Sequence, residues 1–308
     1  MRMTSRILIS AALAISIVSC KPTGPSASPS KESARGKPVV MVANYPLKYF
    51  AERIGDDMIA VQFPAPPDED PAFWQPADDV ISAFQSADLT LMNGATYSKW
   101  AEKTTLPASK IVDTSAAFKA DFIEEKNAVT HSHGTGGDHS HSGTAFTTWL
   151  DFEQAIAQAT AARAGIGRVL PDAGAKLDQN LAKLIEELRA LDDRMKTVGK
   201  RMNNQPLVAS HPVYQYWARR YGIHLKFVVW EPEEVPTDNQ MDDLKAILAV
   251  HPAKWMVWEG EPAKESVEKI KALGLQNVVF DPCGNAPESG DFLSTMKTNV
   301  EAVEKAFP

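Results

Sequence analysis

Cysteine is nearly absent from this chain: 308 residues hold two, Cys20 and Cys283, so no disulfide framework staples the fold. The sequence also lacks H-E-x-x-H, G-x-S-x-G and P-loop patterns. Cys283 and His211 are the one conceivable nucleophilic pair, and no oxyanion or orienting motif accompanies them, so an enzyme is not expected. Positive charge is short as well. Lys and Arg number 32 against 39 Asp and Glu, a formal net charge of −7, which argues against nucleic acid or anionic lipid as a partner.

Long apolar runs are missing with one exception. MRMTSRILISAALAISIVSC carries Arg2 and Arg6 ahead of an apolar run from Ile7 to Val18, the length of a signal-peptide core and too short to span a bilayer. Ile17-Val18-Ser19-Cys20 resembles the lipobox of bacterial lipoproteins. The resemblance implies a signal peptide over 1–19, cleavage before Cys20 and acylation of its thiol. Acyl chains there would tie the protein to a membrane, in a periplasm or on a cell surface. Removing Arg2 and Arg6 takes the formal charge from −7 to −9. Residues 20–36, rich in Pro, Ser, Gly and Lys with no apolar period, read as a flexible spacer. About 270 residues follow, enough for two lobes of ordinary domain size.

Those residues alternate β-rich runs with helical patterns. Val39–Ala43, Met58–Phe63, Leu89–Asn93 and a run ending Ile111–Asp113 read as strands, with helices over Pro46–Ile54 and Ala77–Ser86. The second half repeats the alternation with LVAS, HLKFVVW, KWMVWE and NVVF. Between the halves, Leu177, Leu181, Leu184, Ile185, Leu188, Leu191, Met195 and Val198 recur at threes and fours and mark one face of a helix near Ala175–Lys200. The expected fold is α/β: two lobes, each a mostly parallel sheet flanked by helices, joined by one long helix, with a ligand cleft between them. The N-terminal lobe covers 37–173, the linking helix 174–202 and the C-terminal lobe 203–308.

Several segments, in order, carry a family likeness: NYPLKYFAERIG, DVISAFQSADLTLMNG followed by Trp100, WLD at Trp149–Asp151, HPVYQYWARRYG and TMKTNVEAVEKAF. Together they resemble the periplasmic metal-binding proteins of zinc and manganese ABC transporters, the ZnuA/TroA-like group called cluster A-I. A His-rich loop stands where zinc-specific members carry one. The resemblance implies a rigid, monomeric two-lobed binder that delivers Zn2+, or alternatively Mn2+, to an ABC permease.

It also implies four metal ligands, each of which can be sought here. Histidine is replaced at the first two places, by Ala72 in DPAFWQP and by Thr147 in FTTWLD. His211 matches the third place and Asp281 the fourth. One imidazole and one carboxylate would leave zinc mostly hydrated and weakly held. Either other groups complete the site, or the chain is a degenerate scaffold that serves as a tethered interaction or sensing protein, or binds another small ligand.

Candidate groups to complete it are several. Glu259 follows the strand KWMVW and points at the expected cleft, and Cys283 would be a strong ligand as a thiolate. Asp281, before Pro282, can alternatively close an Asx turn. Asp68, Glu69 and Asp70 lie near the lost first ligand, while Phe73 and Trp74 are expected to pack. His131, His133, His139 and His141 crowd the loop 130–143, four of the seven histidines. Such a tract collects zinc with modest affinity, or folds back to supply a missing ligand beside Thr147. His224 and His251 read as structural or surface residues.

Overall fold

The computed structural model describes residues 36–125, 130–132, 138–140 and 143–308. The expected signal peptide, Cys20 and all of the spacer except Gly36 lie outside the described residues, as do His133 and His141. Among the described residues, no helix is long and apolar enough to cross a membrane.

In the first half, β1 (Val39–Val42) leads into α1 (Tyr45–Gly55), β2 (Ala60–Gln62), α2 (Asp78–Ser86), β3 (Leu89–Met92) and β4 (Ile111–Asp113). The sheet is parallel in the order β2-β1-β3-β4. Asn44 starts α1 by accepting the Leu47 N–H on its side chain at 3.1 Å, satisfying a donor the helix cannot. Four short strands follow: β5 (Glu124–Glu125), β6 (Thr130–Ser132), β7 (Asp138–Ser140) and β8 (Gly143–Thr144). β5 pairs antiparallel with β8, and β6 with β7, which sets the backbones of His131 and His139 opposite each other.

Next comes α3 (Phe152–Val169), capped by Asp151, and then α4 (Gly174–Met202). At 29 residues α4 is about 43 Å long. Its periodic face is buried as expected, apart from Ile185, which is half-buried. The helix ends at Asn203, whose φ of 48° places it in the left-handed region where Asn is tolerated. Near that end Gly199 lets α4 approach closely, since a Cβ there would lie 2.3 Å from the Tyr221 carbonyl oxygen.

The second half repeats the plan: β9 (Pro206–Ala209), α5 (Gln215–Tyr221), β10 (His224–Phe227), α6 (Asp238–Val250), β11 (Trp255–Trp258), α7 (Lys264–Ala272), β12 (Gln276–Val279) and α8 (Phe292–Ala306). Its parallel sheet runs β10-β9-β11-β12. One apolar cluster reaches from Val40 to Phe307 and takes in α1, α3, α4 and α8.

Both sheets share a topological feature that locates the site. Strand order reverses between β1 and β3 and again between β9 and β11, so the loops leaving neighbouring strands diverge and open a crevice at their carboxyl ends. The halves touch across these ends. The Tyr45 N–H donates to the Gly284 carbonyl at 3.0 Å, and Trp149 Nε1 donates to that of Pro282 at 2.7 Å.

Candidate metal centre

A cavity of about 250 Å³ opens there, lined by Asp70, Pro71, His211, Val213, Glu231, Glu259 and Asn285. Each comes from a loop after a strand: His211 after β9, Glu231 after β10, Glu259 after β11, Asn285 after β12, and Asp70 after β2. The sequence pattern places His211 at the start of a helix. In the structure α5 begins four residues later, at Gln215, and His211 sits in the connecting turn.

His211, Glu231 and Glu259 each offer a ligand atom, and these atoms lie within 4.8 Å of one another. His211 Nδ1 is 3.2 Å from Glu259 Oε1 and 3.7 Å from Glu231 Oε1. The imidazole is 3 % exposed, whereas Glu231 and Glu259 keep 16 % and 23 % of their side chains open. Although it borders the cavity, the Glu259 carboxyl is ringed by protein. Burial first, and then Glu231, Asp70, Asp281 and Glu233, push its pKa well above the usual carboxylate range. The neighbouring carboxylates disfavour its charged form, and a divalent cation beside it would offset them.

The other expected ligands sit differently. Asp281 Oδ1 accepts the Cys283 N–H at 2.6 Å, an Asx turn, and the side chain is absent from the cavity lining. Burial raises its carboxyl pKa, opposed by that N–H. Cys283 is buried with a φ of 56° and likewise lies off the cavity. Burial and then the charge of Asp281 push its thiol up, so the thiolate a metal needs is disfavoured.

The two lost histidine places are closed. Ala72 is 1 % exposed in the core, and Thr147, 4 % exposed, donates its hydroxyl to the Val213 carbonyl. Aromatic rings fill this wall, with Phe146 edge-to-face against both Phe73 and Tyr97, and Tyr97 against Trp149. His251 is a core residue whose Nε2 meets the Leu207 carbonyl at 2.8 Å, with His224 against its ring.

Sequence reasoning missed Glu231. Its signal is an acidic residue closing a strand-like run, HLKFVVW, at the carboxyl end of a parallel sheet.

A family model described as zinc-uptake complex component A, periplasmic (ZnuA) matches residues 40–306. The chain belongs to the ZnuA family. It is 23 % identical over 297 residues to the metal ABC transporter substrate-binding lipoprotein SsaB of Streptococcus sanguinis, covering 90 % of this chain and 91 % of that protein. To the zinc-binding protein AdcA of Streptococcus pyogenes it is 22 % identical over 292 residues, spanning 88 % of this chain and 56 % of AdcA. The ZnuA-like fold recurs in the metal-dependent lipoprotein YcdH of Bacillus subtilis, at a TM-score of 0.75 and 19 % identity over 88 % of this chain and all of that one. It recurs also in the Zn(II)-bound ZnuA-like domain of Streptococcus pneumoniae AdcA, at 0.74 and 18 % over 88 % of this chain and 99 % of that one.

Proposed function

We propose that this ZnuA-family chain is the solute-binding component of an ABC metal importer. Anchored outside the cytoplasm through Cys20, it captures a divalent ion as a monomer, zinc before manganese, and passes it unchanged to a membrane permease. The observation that carries this reading is the convergence of His211, Glu231 and Glu259 within 4.8 Å. One imidazole and two carboxylates form an N/O donor set that zinc accepts and manganese tolerates. A doubly positive ion balances two carboxylates that otherwise repel each other. The likeness to SsaB, a metal ABC transporter substrate-binding lipoprotein, and to AdcA, a zinc-binding protein, supports the same reading. Asp281 and Cys283 serve as the turn beneath the site. The histidines His131, His133, His139 and His141 act as an accessory collector that raises the local zinc concentration.

The test is zinc titration of the protein lacking residues 1–20, in competition with a chelator. Three proteins are compared: this form, a version without Thr130–Gly143, and His211→Ala. One tight ion per chain is expected, kept on deletion and lost with His211. Tight binding that disappears with the tract would move the site to the loop, and weak multiple binding in the intact protein would refute the reading.

A further inference from the structure

The donor trio rides entirely on loops of the second sheet. Among the described residues, the first half reaches the cavity through Asp70 and Pro71, on the connection between β2 and α2. Prolines 64, 66, 67, 71 and 76 restrict this connection. It is clamped from the opposite half: Asn285 Nδ2 donates to the Pro66 carbonyl at 2.7 Å and to the Glu69 carbonyl at 2.9 Å. The clamp therefore holds the residue directly before Asp70, and Asn285 itself lines the cavity.

Asp70 is presented from a tight turn. Its Oδ1 accepts the Ala72 N–H at 2.8 Å, and its carbonyl accepts the N–H groups of Phe73 and Trp74 at 3.0 and 2.9 Å. It stands outside the 4.8 Å group formed by His211, Glu231 and Glu259.

We propose, resting on the metal-binding reading above, that Asp70 is the fourth donor to the ion and that Asn285 is the residue that positions it. An ion held by three donors on one side keeps an open face, and a tetrahedral ion needs one more ligand. Asp70 already lines the cavity, and a carboxylate can bind an ion through the oxygen that does not accept the Ala72 N–H. The completed set is one imidazole and three carboxylates, and the ion bridges the two halves. The donor comes from position 70 because position 72, two residues on, is packed into the core as alanine.

Zinc affinity is measured by competition with a fluorescent chelator in the protein lacking residues 1–20. The variants are Asp70→Ala, Asn285→Ala and the double variant, with His211→Ala as control. Asp70→Ala is expected to weaken binding at least about tenfold, and Asn285→Ala by a smaller factor. The double variant is expected to bind no more weakly than Asp70→Ala, because Asn285 acts through Asp70; a purely structural role would add independently. Wild-type affinity in Asp70→Ala, with His211→Ala still deficient, would overturn this inference alone. Additive losses would overturn the positioning role of Asn285. Absence of zinc binding in the wild type would take down the metal-binding reading and this inference together.

Discussion

Replacing Asp192 by Asn removes one negative charge from the inner face of α4 while keeping the size of the side chain. Asp192 is 2 % exposed. Arg220 of α5 grips it with two hydrogen bonds of 3.0 and 2.8 Å, Tyr221 donates its hydroxyl at 3.0 Å, and Lys196 Nζ lies at 2.6 Å. Burial alone would raise this carboxyl, but the hydrogen bonds from Arg220, Lys196 and Tyr221 outweigh it and hold the pKa below the ordinary value. Breaking a fully buried pair costs about 3–5 kcal/mol. Here Arg220 is partly exposed and keeps Asp151 at 3.5 Å and Glu153 at 3.4 Å, so we reduce the cost to about 2 kcal/mol. For a unit of this size that is a fall in melting temperature of about 4–8 °C, read by calorimetry at pH 7. The sign of the pH dependence follows from the depressed pKa. The stabilisation is present above the unfolded value near 3.9 and is lost as pH falls through the lower folded value. The gap between wild type and Asp192→Asn should therefore shrink below about pH 4. A shift under about 1 °C at pH 7, or a gap independent of pH, would refute the reasoning.

Glu231→Gln keeps the shape of the residue that sequence reasoning missed while removing its charge. Chelator competition should show zinc affinity reduced at least about tenfold with the melting temperature nearly unchanged. Ala72→His restores the family residue at a place 1 % exposed. Overpacking should lower stability by about 1–3 kcal/mol, with no gain in zinc affinity. A gain would show that the ancestral position still reaches the ion.

The strands and the long helix were legible because burial leaves a period. Both faces of a parallel strand are covered, so Val39–Val42 is an unbroken apolar run, and α4 hides one stripe from Leu177 to Val198. The short antiparallel pairs around β5–β8 were not legible, since two or three residues carry no measurable alternation. At the site, His211 and Glu259 were legible because each directly follows a strong strand pattern. Glu231 was hidden by a pattern that continues to Trp230 while the strand itself ends at Phe227. Val228 and Trp230 still donate backbone hydrogen bonds to Ala209 and Ser210, so the chain stays beside β9 and reaches the crevice alongside His211. Asp281 shows the opposite case. Its position along the chain fits the family place, whereas its Oδ1 accepts the Cys283 N–H and the side chain stands off the cavity, which linear spacing does not record.

The apolar seam along α4 has a further consequence for inheritance. Leu177, Leu184, Leu188, Met195 and Val198 are covered by residues drawn from both halves, in one continuous cluster. Either half made alone would leave part of that seam uncovered, as an adhesive strip rather than a surface. The unit is thus indivisible as a building block, and a larger protein that borrows this architecture has to borrow all of it. The match to AdcA has that form: 292 residues running through both halves, set within a protein of which they span 56 %.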